Sequence, residues 1–256
     1  MGLASSKERF IFDKKAILGG GNGGTVYLGI DNESKAKVAI KVVAKSRLIH
    51  NLVDIEVEQG ALKLSHPHIL HLVHAYEDKN NYYLVTNFCS GGDLEAYVKN
   101  QGALPESVAK LFLVDIVKAV WYLSEHNLIH RDIKPSNLLL NDMSIIVGDF
   151  GTAKFLDINR MAKTCVGTMY FCAPEVLLAE SYDHQADMWS IGVTLYYMLT
   201  ATLPFDITNE FKYRRAAREG DVIVPENRAQ ISDELWDIIV KVGSHHTISD
   251  NLLDLV

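Results

Sequence analysis

Two short polar segments near the middle of the chain constrain it most, His130-Arg131-Asp132-Ile133-Lys134-Pro135-Ser136-Asn137 and Asp149-Phe150-Gly151. Asp132 can accept the proton of a hydroxyl group, and Asn137 and Asp149 can ligate Mg²⁺. Lys134 can contact a phosphoryl group during its transfer. Each segment alone is typical of an ordinary turn. Both together, in this order, predict one site for phosphoryl transfer from ATP with Mg²⁺.

The composition is that of a globular protein with a hydrophobic core. The 256 residues are 48% hydrophobic and 22% charged, which fits one large domain or two lobes. A net charge of −7 argues against a nucleic-acid partner bound through its phosphates. The three cysteines, Cys89, Cys165 and Cys172, and the lack of a secretory signal indicate a reduced, cytoplasmic location.

One apolar stretch approaches the length that is needed to cross a membrane. Met188 to Phe205 is 18 residues without a charge. It contains polar residues and Pro204, and Asp187 and Asp206 bound it with no basic flank. These features favour a buried helix over a membrane span.

The N-terminus, Met1-Gly2-Leu3-Ala4-Ser5-Ser6, matches the pattern for N-myristoylation at Gly2. An unmodified start that happens to carry a glycine remains the alternative. One myristoyl chain binds membranes weakly, with a constant of about 10⁴ M⁻¹. We therefore expect at most a weak, peripheral association with membranes.

The residue pattern changes along the chain. Residues 10–43 and 69–88 have strand character, and a helical segment covers about 46–64. From Pro105 onward the apolar residues recur at helical spacing. The pattern predicts a strand-rich front and a helix-rich back that join near residues 87–92.

A glycine-rich segment lies in the first strand pair. Without a Cβ, glycines let backbone N–H groups approach phosphate oxygens. A dinucleotide-binding fold needs a helix directly afterwards, but Thr25 to Leu28 has a strand pattern instead. This favours a flexible hairpin over a nucleotide, and its candidate contacts are Leu18, Gly19, Gly20, Gly21, Asn22, Gly23, Gly24 and Val26.

Lys41 lies among apolar residues in the next strand, Val38-Ala39-Ile40-Lys41. An ammonium group in such surroundings either extends to water or contacts a specific anion. The glycine segment just upstream favours a phosphate contact. Lys41 then needs a carboxylate to hold it, and both Glu58 and Glu56 on the following helix are candidates.

Taken together, these motifs make the chain similar to the eukaryotic protein kinases from about Phe12 to about Val242. They occur in the family's order, with Ala173-Pro174-Glu175 and Asp187-Met188-Trp189 after the two central segments. Lys134 resembles the serine/threonine branch. Gly91-Gly92-Asp93 and residues 41–47 resemble the calcium/calmodulin-dependent kinases.

The resemblance implies an α+β bilobal fold with a small β-rich N-lobe and a larger, mainly helical C-lobe. The implied divisions are an N-terminal segment (1–11), the N-lobe (12–86), the hinge (87–92), the C-lobe (93–242) and an atypical tail (243–256). Family members continue with further helices and an arginine that pairs with the residue equivalent to Glu175. We therefore expect a truncated C-lobe in which Glu175 is buried without that partner.

The resemblance also implies residue roles. Asp132 would accept the substrate proton, Asn137 and Asp149 would bind Mg²⁺, and Lys41 would hold the α- and β-phosphates. The adenosine contacts would be Thr86 as gatekeeper, Asn87 and Cys89 through their backbones, Asp93 to the ribose, and Val26, Ala39 and Leu139 around the base. Between the lobes, a regulatory column would consist of Leu62, Leu72, His130 and Phe150.

Regulation is expected in the segment that precedes Ala173. Thr164 occupies the position where many family members are phosphorylated by an upstream kinase, and Arg131 and Lys154 would meet the added charge. Thr168 is expected to contact Asp132 and Lys134 instead of carrying phosphate.

Three functions are compatible with the sequence. The favoured one is an active kinase that acts on serine and threonine hydroxyls of proteins. The alternatives are a kinase-shaped scaffold or regulatory protein, impaired by an incomplete C-lobe, and a dinucleotide-dependent oxidoreductase.

Overall fold

A computed structural model describes residues 6–21, 23–47, 52–156, 168–178 and 180–243. Its strands are β1 (Phe10–Gly21), β2 (Gly24–Asp31), β3 (Lys37–Ala44), β4 (Leu72–Glu77), β5 (Asn81–Asn87), β6 (Leu128–Ile129), β7 (Leu138–Asn141), β8 (Ser144–Val147) and β9 (Lys154–Phe155). Its α-helices are α1 (Ser6–Arg9), α2 (Leu52–Leu62), α3 (Leu94–Gln101), α4 (Glu106–Glu125), α5 (Pro174–Leu177), α6 (Gln185–Thr200), α7 (Glu210–Glu219) and α8 (Asp233–Gly243).

The small lobe is a five-stranded antiparallel sheet with the order β1-β2-β3-β5-β4. The β-branched sequence of β3 suits its interior position, because both of its edges are paired. In this register Lys41 lies opposite Val26 on β2 and Leu84 on β5. The sheet therefore places the predicted phosphate-binding lysine beside the glycine-rich hairpin.

Part of the predicted N-terminal segment belongs to the small lobe. Strand β1 begins at Phe10, and the preceding helix α1 is fastened by ion pairs at both ends. Lys7 Nζ lies 2.8 Å from Asp78, and Arg9 binds Asp31 through two hydrogen bonds of 3.0 Å. Residues 6–11 are thus held by contacts that a reading of local sequence pattern does not reveal.

The large lobe is built around helices α4 and α6. Twelve of the sixteen residues of α6 are buried, so the apolar stretch is a core helix, as expected. No helix within the described ranges is long and apolar enough to span a membrane. The strand-rich and helix-rich halves together form the predicted α+β bilobal architecture.

A short connection passes from β5 to α3 between the lobes. The Asp93 carboxylate caps α3 by accepting the Ala96 N–H at 2.8 Å. The Gly91 N–H donates to the Leu140 carbonyl oxygen at 2.9 Å. A Cβ at residue 91 would lie 2.7 Å from the Leu140 Cβ, so this close approach requires glycine. The connection is thereby fixed against the β7–β8 hairpin of the large lobe.

The expectation that Glu175 is buried is wrong. Its side chain is only partly buried, and it takes part in a polar or electrostatic interaction. The carboxylate is therefore not an isolated charge in the core, whereas the absence of the family's arginine as its partner stays a prediction.

The core of α4 provides a test of the fold. Leu113 is 2% exposed, whereas Leu111 on the same helix is 58% exposed. We expect Leu113→Ala to lower the free energy of unfolding by about 2–5 kcal/mol through the cavity that it leaves. Leu111→Ala, the matched control, should change it by about 0.5 kcal/mol or less. Urea denaturation measures both, and equal effects would contradict the packing described here.

Candidate active site

The ammonium group of Lys41 lies between two carboxylates. Its Nζ is 2.6 Å from Glu58 Oε1 on α2 and 3.0 Å from Asp149 Oδ1 in the large lobe. The side chains of Lys41 and Glu58 are 14% and 6% exposed, and that of Asp149 is 54% exposed. This cluster joins the sheet, α2 and the large lobe at one point.

The cluster shifts the pKa values of its members. Burial acts to lower the pKa of Lys41, but the charges and hydrogen bonds of Glu58 and Asp149 outweigh it and raise that pKa. Burial acts to raise the pKa of the Asp149 carboxyl, but the charge of Lys41 outweighs it and lowers that pKa. Both groups are therefore charged at neutral pH.

The structure distinguishes between the two candidate glutamates. Glu58 is 5% exposed and forms the ion pair with Lys41. Glu56 is exposed on α2. Two residues along a helix are about 200° apart, so the two side chains leave the helix on different faces. Of these two glutamates, Glu58 is the partner of Lys41.

The glycine-rich hairpin ends beside the same lysine. Leu18, Gly19, Gly20 and Gly21 end β1, Gly24 and Val26 begin β2, Gly23 lies in the turn, and Asn22 lies outside the described residues. A Cβ at residue 23 would lie 3.2 Å from Lys41 Nζ. Gly24 has a φ of +124°, and a Cβ there would lie 2.6 Å from the Val42 carbonyl oxygen. The backbone of the hairpin can therefore approach an anion that Lys41 binds.

The Asp132 carboxylate is held from several sides. Its Oδ1 accepts the Thr168 backbone N–H at 2.8 Å, and its Oδ2 accepts from Lys134 Nζ at 2.7 Å. Asn137 Nδ2 donates to the same Oδ2 at 2.9 Å. Lys134 Nζ also lies 2.5 Å from the Thr168 hydroxyl oxygen, so Thr168 makes the contacts that the sequence predicts. The carboxylate is fixed in orientation and faces a cationic group.

Asn137 and Asp149 suit a hard cation. Both N–H groups of the Asn137 amide are directed at Asp132, which leaves the amide oxygen as its ligand atom. The Gly148 N–H donates to the backbone carbonyl oxygen of Asn137 at 2.9 Å. The residue before Asp149 therefore contacts Asn137 through the backbone. The described residues contain no cluster of three acidic, His or Cys ligands. One amide and one carboxylate fit Mg²⁺, which takes few protein oxygens and completes its shell with phosphates and water.

A buried carboxylate organises the loop that carries Asp132. Asp187, at the start of α6, accepts the backbone N–H groups of His130 and Arg131 at 2.7 and 2.9 Å. It is 1% exposed, and burial raises the pKa of its carboxyl group. Asp187 is not among the site residues that the sequence predicts. An acidic residue at the boundary of a long apolar helix is the signal that identifies it.

The predicted adenosine contacts form two groups. In the small lobe, Ala39 pairs with the buried Thr86 across β3 and β5, next to the pair of Val26 and Lys41. In the large lobe, Asp93 and Leu139 form an isolated β-bridge. The connection between the lobes is hydrogen-bonded to Leu140, the residue after Leu139, so it links the two groups.

The connecting segment contains Asn87 and Cys89, the two residues that are predicted to contact adenine through their backbones. The Asn87 N–H donates to the His71 carbonyl oxygen at 3.3 Å, so this N–H is already used in a hydrogen bond within the protein. Burial raises the pKa of the partly buried Cys89 thiol to about 11. The thiol is therefore protonated at neutral pH.

The four predicted members of the regulatory column are all buried. Leu62, Leu72 and Phe150 belong to one hydrophobic cluster that includes residues of both lobes. The rings of His130 and Phe150 lie 4.9 Å apart between their centroids. His130 Nε2 is also 3.0 Å from the Gly148 carbonyl oxygen. Packing at this point connects the sheet, α2 and the loop that carries Asp132.

Only two of the four predicted regulatory and lipidation residues, Arg131 and Lys154, lie among those that the structure describes. Thr164 and Gly2 lie outside the described residues. The guanidinium group of Arg131 donates to the carbonyl oxygens of Thr152 and Ala153, and Lys154 pairs with Ile129 in the β6–β9 ladder. Arg131 and Lys154 thus lie on adjoining segments, and their contact with Thr164 stays a prediction.

Comparison with known proteins adds an independent observation. The family model of the protein kinase domain matches residues 12–256. The chain is 33% identical over 229 residues to the serine/threonine-protein kinase ATG1a of Arabidopsis thaliana, covering 86% of this chain and 37% of that protein. It is 33% identical over 244 residues to the human serine/threonine-protein kinase ULK1, covering 91% of this chain and 23% of that protein.

A third relative is the serine/threonine-protein kinase ATG1b of Arabidopsis thaliana, 31% identical over 232 residues, which is 88% of this chain and 33% of that protein. The chain thus spans roughly a quarter to just over a third of the length of these relatives. The predicted likeness to calcium/calmodulin-dependent kinases in particular stays a prediction.

The two glutamates of α2 give a matched test of the site. Glu58→Gln removes the carboxylate that holds the Lys41 ammonium group from α2, so that group is no longer fixed where the phosphates would bind. We expect kcat/KM for ATP to fall at least about tenfold, a loss of about 1.4 kcal/mol of transition-state stabilisation. Glu56→Gln should leave it unchanged. Steady-state kinetics at varied ATP measures both, and a larger effect of Glu56→Gln would refute the assignment.

Proposed function

The chain belongs to the protein kinase domain family, and we propose that it transfers the γ-phosphoryl group of Mg·ATP to serine and threonine hydroxyls of proteins. The observation that carries this proposal is the Asp132 carboxylate, held by Thr168, Lys134 and Asn137 within one hydrogen-bonded cluster. The relatives named serine/threonine-protein kinases support the choice of acceptor.

Asp132 is proposed to orient the acceptor hydroxyl and take its proton as the new P–O bond forms. A fixed carboxylate needs little reorganisation when the hydroxyl arrives, which is the basis of positional catalysis. Lys134, 2.7 Å from this carboxylate, is placed to meet negative charge on the transferring phosphoryl group. The ammonium group must leave part of its contact with Asp132 to do so.

Lys41 is proposed to bind the α- and β-phosphates, with Glu58 holding its ammonium group in place. Asn137 and Asp149 would hold Mg²⁺, which when bound neutralises phosphate charge. Asp149 already contacts Lys41 at 3.0 Å, so the acidic and basic groups for the triphosphate lie within one cluster. The backbone of the glycine-rich hairpin would cover the phosphates from the small lobe.

Regulation and location complete the proposal. Phosphorylation of Thr164 by an upstream kinase would add about −1.5 to −2 charges near Arg131 and Lys154. Acylation of Gly2 would give a cytoplasmic protein a weak, peripheral contact with membranes. The proposed partners are protein substrates, the upstream kinase and, through the acyl chain, a membrane surface.

The role of Asp132 is tested by Asp132→Asn. A positioned base typically contributes about 10²–10⁴-fold, so we expect kcat to fall by that factor while nucleotide binding changes less than about twofold. Radiolabelled phosphate transfer to a Ser/Thr peptide library and titration with a fluorescent ATP analogue measure the two quantities. Asp142→Asn, in the exposed β7–β8 turn, is the control.

Two results would count against this assignment. Normal transfer by Asp132→Asn would remove Asp132 from the chemistry. Binding of Mg·ATP by the parent chain without any transfer would favour the scaffold or regulatory alternative.

The activation-segment proposal is tested with Thr164→Ala. If phosphorylation at this position orders the segment, the phosphorylated parent should exceed the variant in kcat/KM by about tenfold or more, the effect of a coupling near 1.4 kcal/mol. Thr202→Ala, at an exposed position, serves as control. Equal activity of parent and Thr164→Ala at matched ATP, with phosphate located at Thr164 by mass spectrometry, would reject the switch.

A further inference from the structure

Helix α2 carries Glu58 but is short and contains a glycine. It spans Leu52–Leu62, and Gly60 lies two residues after Glu58. Glycine is the least favourable residue for a helix interior apart from proline. The position of this helix, and with it the position of Glu58, therefore depends on what packs against it.

The ring of Phe155 packs directly on Gly60. Its Cε2 and Cζ atoms lie 3.5 and 3.7 Å from the point that a Cβ of residue 60 would occupy, so a larger side chain there would take the place of the ring. The Phe155 side chain is nevertheless 43% exposed. The part of the ring that is removed from water includes the edge that faces Gly60.

The backbone of Phe155 is held in the large lobe by strand pairing. Phe155 pairs with Leu128 in the β6–β9 ladder, and β6 leads directly into the loop that carries Asp132. The next residue, Leu156, donates its N–H to the Asn127 carbonyl oxygen at 2.8 Å. The ring thus extends from the large lobe to a helix of the small lobe.

We propose that Phe155 is a positioning residue for the ion pair between Lys41 and Glu58, and that it acts through Gly60 on α2. Residues 58 and 60 lie about 200° apart around the helix. A rotation of α2 that draws Glu58 away from Lys41 therefore also moves the backbone at Gly60 relative to the ring and disturbs this contact. The contact of Glu58 with Lys41 and the contact of Gly60 with Phe155 lie on different faces of the helix. Together they restrict its rotation more than either contact alone. This inference rests on the proposed kinase function for its effect on turnover.

The experiment compares Phe155→Ala with Phe155→Met, which keeps an apolar side chain of similar reach. The control is Phe211→Ala, which removes a ring that is 76% exposed on α7. Each variant is measured for kcat/KM of ATP and for hydrogen exchange of the backbone amides of residues 52–62. Exchange reports on α2 whether or not the chain is active, so it separates this inference from the proposed function.

We expect Phe155→Ala to lower kcat/KM for ATP about fivefold or more and to speed exchange in α2. Phe155→Met should retain most of the parental value, and Phe211→Ala all of it. In a Glu58→Gln background, Phe155→Ala should cause no further loss, since the ion pair that it positions is already absent.

Three results would overturn the inference. The first is parental exchange in α2 of Phe155→Ala, and the second is parental kcat/KM of that variant. The third is an equal loss from Phe155→Ala with and without Glu58→Gln, which would indicate an independent effect on stability. If the parent chain transfers no phosphate at all, the proposed function fails, and the exchange measurement alone decides the role of Phe155.

Discussion

The two ion pairs of Lys41, with Glu58 and with Asp149, are the interactions on which the arrangement of the sheet, α2 and the large lobe at the site depends. The ammonium group is largely removed from water, so it must be paired to remain charged, and its two partners come from different parts of the fold. Glu58 reaches it from α2, and Asp149 reaches it from the large lobe. Any shift of the helix or of either lobe breaks at least one of these contacts. A nucleotide phosphate bound here, as proposed, would meet a cation whose position is already set.

The same requirement organises the loop around Asp132. The carboxylate of Asp187 lies in the core and is stabilised by the N–H groups that it fixes at residues 130 and 131. Arg131 and Asp149 adopt left-handed backbone conformations, with φ of 69° and 54°, which are unfavourable for residues other than glycine. Such conformations persist only where the surroundings determine them, and at Arg131 the hydrogen bond from its N–H to the buried Asp187 contributes to this. Two of the left-handed residues thus lie where the chemistry is expected.

Sequence reasoning predicted the fold, and it named most of the side chains that the structure brings together at the site, because the polar motifs are compact. Asp132, Lys134 and Asn137 lie within six residues, so their convergence follows from one local turn. It did not choose between Glu58 and Glu56, because that choice depends on the rotation of α2 against β3. It also gave Asp187 no role and did not predict the packing of Phe155 on Gly60. These are contacts between distant segments, and the local spacing of one partner does not reveal which residue the other partner is.

The two lobes hold their functional groups in different ways. In the large lobe, Asp132 is supported by a network of short hydrogen bonds above a core of buried helices, so it has little freedom to move. In the small lobe, Glu58 is carried by a short helix that contains a glycine, and its contacts lie with separate elements. A helix of this kind changes position at a lower free-energy cost than the core does. Control of activity is therefore expected to act more easily through the position of Glu58 than through that of Asp132. The segment from Phe150 to Phe155 contacts α2 as well as the two residues before Asp132.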